Sequence, residues 1–492
     1  MGHGTDEKQK SRPSPGNIIT LITVGVFVLL YGWLFLKHFG PQQAVLQPGG
    51  GSILSQQQFG SSRAVKTLQS SGSGAADAAA GGLSLPATTL EYFPQAGRCS
   101  TKWMQQHVQL QADIQAGKLP ERYFVSVAVE AGLADRLAGL MTHFWHAVVT
   151  RRAFTTVAYG NVPSFSAMCD APFIDWTHPP AELPAEAVEP LKFTYMGERG
   201  YPGHKRFLPD TLDPKTYQML YLINGPMKNL TVYQNSNISA LQDPDPAYLM
   251  AASNRGRSFA LANNPFHKQQ FWEYGVVPQD AFMCGFFYMC SPVAAIQQYY
   301  KQYWDVLREP GVLKVGIQIR LGDGVFKGAE KEQPAEVTLK AGKEWFECAQ
   351  LVEKHYAAPG QKVLWYLNSD SQQLRKAAKT VYGDKLITDD ELKMTHPDCH
   401  QDKPKGANSS STTDCEQAAM DEALQHSLGA MLTFSMTDYH VITKGSGFGR
   451  LGAWLSGRWG NIFNIVRGQG SVQCQPSKPI PPEQSAFHYS GV

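Results

Sequence analysis

The sequence is poor in charge. Only 17% of its 492 residues are Asp, Glu, Lys or Arg, and 44 basic against 42 acidic residues leave a formal net charge of +2. Without a basic excess there is no surface to hold a phosphate backbone by bulk attraction, which argues against a nucleic-acid partner. Charge is missing altogether from Ile18 to Leu36. That run is about as long as a helix needs to cross a bilayer. It ends on Trp33, Phe35, Leu36 and Lys37 instead of a small-residue cleavage site, so it reads as a retained signal-anchor. Lys8, Lys10 and Arg12 precede it, and Lys37 is the only basic residue after it until Arg63. The positive-inside bias then puts residues 1–17 in the cytosol and the remainder on the lumenal side.

Residues 37–98 are short of both charge and apolar side chains. A stretch such as SGSGAADAAAGG cannot bury enough area to offset its ordering entropy and reads as a flexible stalk. Tail, span, stalk and body make a single-pass type II layout, common among Golgi enzymes. No cysteine precedes residue 99, and the 8 present (Cys99, Cys169, Cys284, Cys290, Cys348, Cys399, Cys415 and Cys474) all fall in the lumenal part, where an even count permits disulfides. Cys399 and Cys415, bracketing one short polar loop, are the first candidates for a pair. With His396 and His400 they could also be zinc ligands, but at a spacing that matches no usual pattern. Asn229, Asn237 and Asn408 head glycosylation sequons.

Past residue 99 the pattern is α/β. Apolar strands at Phe124–Val129 and Ala153–Tyr159 flank a helix from about Ala134 to Thr150, a βαβ unit with Leu133, Leu137, Leu140, Phe144 and Val148 as its core stripe. His143 and His146 sit one turn apart on that helix with no carboxylate beside them, which favours buried helix residues over metal ligands.

Three further strand–turn–helix units carry the chemistry. In LKVGIQIRLGDGVF, Val315, Ile317 and Ile319 alternate with Gly316, Gln318 and Arg320, so a strand buries the first set and delivers Arg320 at its carboxyl end beside Gly322, Asp323 and Gly324. In VLWYLNSDSQQLRKAAKTVYGDK, the strand Val363–Leu367 runs into Asn368, Ser369 and Asp370, which can cap a helix closed by Gly383. In DYHVITKGSGFGRLGAWLSGR, a strand near Tyr439–Ile442 meets a Lys444-Gly445-Ser446-Gly447 turn and a short helix. Ligands of open α/β sheets bind outside the carboxyl ends of the strands. There the last turn can offer backbone N–H groups to a diphosphate, and Arg320 can pair with the same anion.

Taken together and in order, these elements resemble the GDP-fucose-dependent fucosyltransferases of the GT-B fold, most closely the plant xyloglucan-type branch, over roughly Arg122 to Arg458. VGIQIRLGD is similar to that branch's IGIQIR and its relatives' HxRRxD. FMCGFFYMCSPVAAIQQYY resembles the family's aromatic-rich strand, Pro and helix; EAGLADR, NSD and KGSGFG resemble GLGNR, the Ser-Asp element and STFG. Leu321, Asp135 and Gly447 depart from these patterns.

The resemblance implies two Rossmann-like lobes, an acceptor-side lobe over 99–300 and a donor lobe over 301–467, then a tail from 468 to 492. It implies fucose transfer from GDP-fucose to a glycan or glycoprotein hydroxyl with inversion and without a metal or other cofactor. Carried onto this chain, it puts Arg320 on the β-phosphate, Gln318, Ser369 and Asp370 around the nucleotide with Asp370 on guanine or ribose, and Ser446, Gly447 and Phe448 on the diphosphate and base. Glu130, at the end of the first strand, and Asp323 are the candidate bases; Asp323 is otherwise placed to orient Arg320. Two alternatives stand beside this: an enzyme using another nucleotide sugar, and a membrane-tethered carbohydrate-binding protein without activity. Asp243-Pro-Asp245 has the DxD form of a different, Mn²⁺-using fold, but its two prolines make it a polar turn.

Overall fold

The computed structural model describes residues 83–128, 131–158, 162–177, 179–180, 183, 213, 215–221, 231–240, 245–322, 334–392, 417–469, 473–487 and 491–492. The expected span at 18–36, Glu130, Asp323, Asn229, Asn408, Cys399 and Cys415 lie outside them. Among the described residues no helix is long and apolar enough to cross a membrane.

Among the described residues the strands are, in chain order, β1 Tyr123–Ala128, β2 Ala153–Ala158, β3 Cys169–Asp170, β4 Tyr217–Tyr221, β5 Tyr248–Ala252, β6 Ser291–Pro292, β7 Leu313–Ile319, β8 Val363–Ser369, β9 Leu386–Ile387, β10 Tyr439–Thr443 and β11 Ile462–Ile465. They form a four-stranded sheet in the order β2-β1-β5-β4, a five-stranded sheet in the order β11-β10-β7-β8-β9, and a small β3-β6 pair. Both large sheets are parallel throughout. Parallel sheets need cover on both faces, which is why strands such as β1 and β7 read as apolar runs and are buried almost end to end.

The helix Leu133–Val149 joins β1 to β2 and is buried on every side; only Asp135 of its residues is not. The expected core stripe is therefore part of a fully enclosed helix. The aromatic-rich segment Ala281–Met289, expected as a strand, is also a helix, with every residue buried. Phe282, Phe286, Phe287 and Tyr288 project all round it, a pattern with neither period, and only its enclosure by the core decides for helix.

Packing crosses the expected boundaries. Residues 83–98, expected as the end of the stalk, belong to the body: helix Ala87–Tyr92 and the turn Pro94–Arg98 bury Leu85, Phe93 and Ala96 in the main core. Helix Ala294–Leu307, which the expected boundary between 300 and 301 would divide, packs on helix Gln417–Ser435. The tail from 468 folds back with a helix of its own, Pro482–Ala486, and sets Phe487 edge-on against Phe259 of the first lobe at 5.6 Å.

Disulfides fix the long connections: Cys99 with Cys284, Cys169 with Cys290, and Cys348 with Cys474. Each closes a loop of more than a hundred residues; the first ties a distant segment to the helix Ala281–Met289 and the second to the residue that follows it. Asp245 of the DxD triplet pairs with Arg122 and Arg152, a structural ion cluster in keeping with a turn.

Candidate donor site

In the five-stranded sheet, β7 has β8 on one side and β10 on the other, so the chain order reverses between β7 and β10. A crevice opens at the carboxyl ends of the strands at such a point. The residues Arg320–Gly322 follow β7, and Lys444–Ser446 follow β10.

Two glycines let flanking segments close on this sheet. A Cβ on Gly316 would stand 2.4 Å from Thr437 Oγ1, so only glycine lets β7 seat against the end of helix Gln417–Ser435. A Cβ on Gly449 would lie 2.6 Å from Gln318 Oε1, so a side chain there would displace the Gln318 amide from Thr443 N. Gln318 is buried and its Oε1 accepts from Thr443 N at 3.3 Å. It is a tie between strands beneath the crevice. Asn368, its register partner on β8, has a buried amide nitrogen with no partner among the described residues, a donor left over next to it.

Arg320 is held at both ends. Its backbone N–H donates to Thr443 Oγ1 at 2.9 Å, and that hydroxyl donates to Gln318 O at 3.2 Å, so the loops after β7 and β10 share one oxygen. Its Nη1 donates to Asp370 Oδ2 at 2.9 Å. Asp370 also accepts from Leu321 N at 2.9 Å and Gly322 N at 3.0 Å. The carboxylate is 4% exposed and the guanidinium 32%, so the pair is anchored at the acid and open at the base.

Asp370, which the resemblance puts on guanine or ribose, here accepts from Arg320 and from two N–H groups of the β7 loop. Ser369 is buried, and its Oγ accepts from Ser371 N at 3.2 Å. The cap of helix Gln372–Tyr382 is Ser371, whose side chain accepts from Leu374 N at 3.0 Å, one residue later than expected; Gly383 closes it with φ 55°.

Ser446 is the cap of helix Gly447–Leu455, its Oγ accepting from Gly449 N at 3.3 Å. That satisfies one of the helix's first N–H groups and leaves those of Gly447 and Phe448 for an anion, where the helix dipole favours negative charge. Phe448 is half-buried and packs into the main core, so its position is fixed. Arg320, Gln318 and Ser446–Phe448 thus meet on adjacent strands, with Ser369 and Asp370 one strand further along.

Arg450, Arg255 and Thr443 did not stand out in the sequence. Arg450, one turn into helix Gly447–Leu455, is almost fully buried; burial lowers its pKa to about 10, against the favourable charge of Asp135. Arg255, after β5, approaches Asp135 at 3.6 Å. Asp135 therefore lies between Arg255, which follows β5, and Arg450, in the helix that follows β10. The only available signal was an Arg just past SGFG, which is too common a pattern to carry weight alone.

His143 and His146 meet Ser126 Oγ (2.8 Å) and Tyr233 Oη (3.2 Å) inside the core, and among the described residues no three His, Cys, Asp or Glu side chains converge as a metal site. Burial lowers His143 to about 3, His107 to about 4 and, with help from Arg458, His440 to about 3. An unfolded histidine titrates near 6.5, so below that pH the unfolded chain takes up protons that the folded one refuses. Stability should therefore be level above pH 7 and fall from about pH 6.5 downward, by on the order of 2 kcal/mol per histidine at pH 5. Urea midpoints measured from pH 8 to pH 5 test this, and an unchanged midpoint would contradict it.

No family model and no curated protein matches the sequence. Solved structures similar to it include fucosyltransferases. A FUT1 variant from Arabidopsis thaliana in complex with GDP is 14% identical, with 80% of this chain and 82% of that one covered and a TM-score of 0.47. NodZ from Bradyrhizobium is 13% identical, covering 72% and 97%, with a TM-score of 0.35. POFUT1 in complex with GDP is 11% identical, covering 71% and 99%, with a TM-score of 0.30. All three likenesses are distant.

Proposed function

We propose that the chain is an inverting glycosyltransferase that moves fucose from GDP-fucose to a glycan or glycoprotein hydroxyl, held in the Golgi membrane by the 18–36 span with its body in the lumen. The observation that carries the donor side is the Arg320–Asp370 pair beside the N-terminus of helix Gly447–Leu455, at the switch point of a parallel sheet. When the sugar leaves, charge builds on the β-phosphate of the departing nucleotide. A guanidinium that a buried carboxylate already holds in place, and N–H groups fixed by a helix, stabilise that charge with little reorganisation. The motif order quoted above supports fucose and guanine within that class. The acceptor's attack needs a proton acceptor, for which Glu130 and Asp323 remain the candidates.

The test is calorimetric titration of the purified protein with GDP, GDP-fucose and UDP-sugars, followed by transfer to a glycan panel in EDTA. GDP and GDP-fucose should bind, UDP-sugars should not, and transfer should survive the chelator. A preference for a UDP-sugar would overturn the reading, and binding without hydrolysis or transfer on any acceptor would favour the carbohydrate-binding alternative.

A further inference from the structure

Of the three sequons, Asn237-Ile238-Ser239 lies among the described residues. Asn237 and Ser239 are exposed, while Ile238 between them is 1% exposed and roots the triplet in the core. Both neighbours of Asn237 are tied to one other segment. Asn264 Nδ2 donates to Ser236 O at 2.9 Å, and Ile238 N donates to His267 Nε2 at 3.1 Å. Asn264 and His267 are themselves buried, so these anchors are rigid. Burial lowers the His267 pKa, which keeps Nε2 unprotonated and able to accept.

Phe266 sits between the same two anchors. Its N–H donates to Asn264 Oδ1 at 2.9 Å, yet its ring is 58% exposed, among the largest exposures of any apolar side chain among the described residues. The backbones on either side of Asn237 and of Phe266 are therefore locked together, with both side chains reaching the surface. The three disulfides point to an oxidising compartment, where N-glycosylation also occurs.

We infer that Asn237 carries an N-linked glycan whose first N-acetylglucosamine lies against the Phe266 ring. Asn237 Nδ2 attacks C1 of the sugar, the C1–O bond to a lipid diphosphate breaks, the diphosphate leaves with the electron pair, and the amide proton passes to the host transferase. The apolar C–H face of the sugar then covers the aromatic ring that the fold leaves open. This is independent of the donor-site reading, since no residue is shared.

The full chain made in a eukaryotic secretory host, with and without glycosidase treatment, tests it. Mass spectrometry of the Asn237 peptide should show a glycan that both Asn237→Gln and Ser239→Ala remove; Ser239→Ala leaves the asparagine in place as a check on folding. Enzymatic removal should lower the melting midpoint by about 1–2 °C in the native chain and by nothing measurable in Phe266→Ala, whose glycan remains attached. An unoccupied Asn237 would overturn the inference, and an equal drop in Phe266→Ala would overturn the contact with the ring. Loss of GDP binding in the Arg320→Ala chain would be unaffected either way, so the two readings stand or fall separately.

Discussion

Arg320→Ala should lower kcat/KM for the donor about a thousandfold and weaken GDP itself to a similar degree. The estimate follows from removing one partner of a desolvated, hydrogen-bonded charge pair, which costs roughly 2–5 kcal/mol in binding, and about 4 kcal/mol is a factor of a thousand. Asp370 keeps its bonds from Leu321 N and Gly322 N when the guanidinium goes, so the β7 loop retains its shape, but the buried carboxylate loses its counter-charge and the unfolding midpoint should fall as well. Arg320→Lys separates charge from shape, because an ammonium is a point charge without the planar fork that spans Asp370 and a phosphate oxygen at once. It should recover only part of the GDP affinity. Unchanged GDP binding in Arg320→Ala, measured by calorimetry, would remove Arg320 from the donor site and with it the main support for the proposed reaction.

The parts of the fold that the sequence made legible are those governed by local periodicity. The strands at 123–128, 153–158, 313–319 and 439–443 and the helix between the first two follow from apolar runs punctuated by glycine and polar residues. Arg320 at the end of its strand follows from strand alternation alone. The rest depends on contacts remote in sequence. The helix Ala281–Met289 has aromatics on every face, so no period distinguishes it from a strand until the core encloses it. Residues 83–98 look like the stalk before them in composition, yet Phe93 stacks near Phe287 and Trp304, at ring distances of 5.5 and 5.3 Å that no local pattern foretells. The pairing of Cys348 with Cys474 joins segments 126 residues apart.

The site shows the same limit. An Asp after a strand and a Ser-Asp element before a helix suggest a cap, or by resemblance a base contact; only the register of β7 beside β8 brings Asp370 under Arg320. The two loops lie 50 residues apart in the chain.

The assignment of Asp370 as a positioning residue makes the sharpest demand on the site, through a double-mutant cycle. Asp370→Ala removes a buried acceptor and leaves the N–H groups of Leu321 and Gly322 unmet, so it should cost stability on the order of 2–4 kcal/mol as well as donor affinity. Asp370→Asn keeps the volume but turns an amide donor toward donors, and should recover stability in part and GDP affinity hardly at all. The effect on GDP should arise through Arg320, whose Nη1 the carboxylate fixes. In the Arg320→Ala background there is nothing left to position, so adding Asp370→Ala should change GDP affinity by no more than about twofold, although either change alone has a large effect. Were Asp370 instead to bind guanine or ribose directly, as the family resemblance implied, its loss would add in full to the loss of Arg320 and the double variant would bind GDP far more weakly than either single one. Calorimetry on the native chain and the three variants, with urea midpoints to confirm that each is folded, decides between the two.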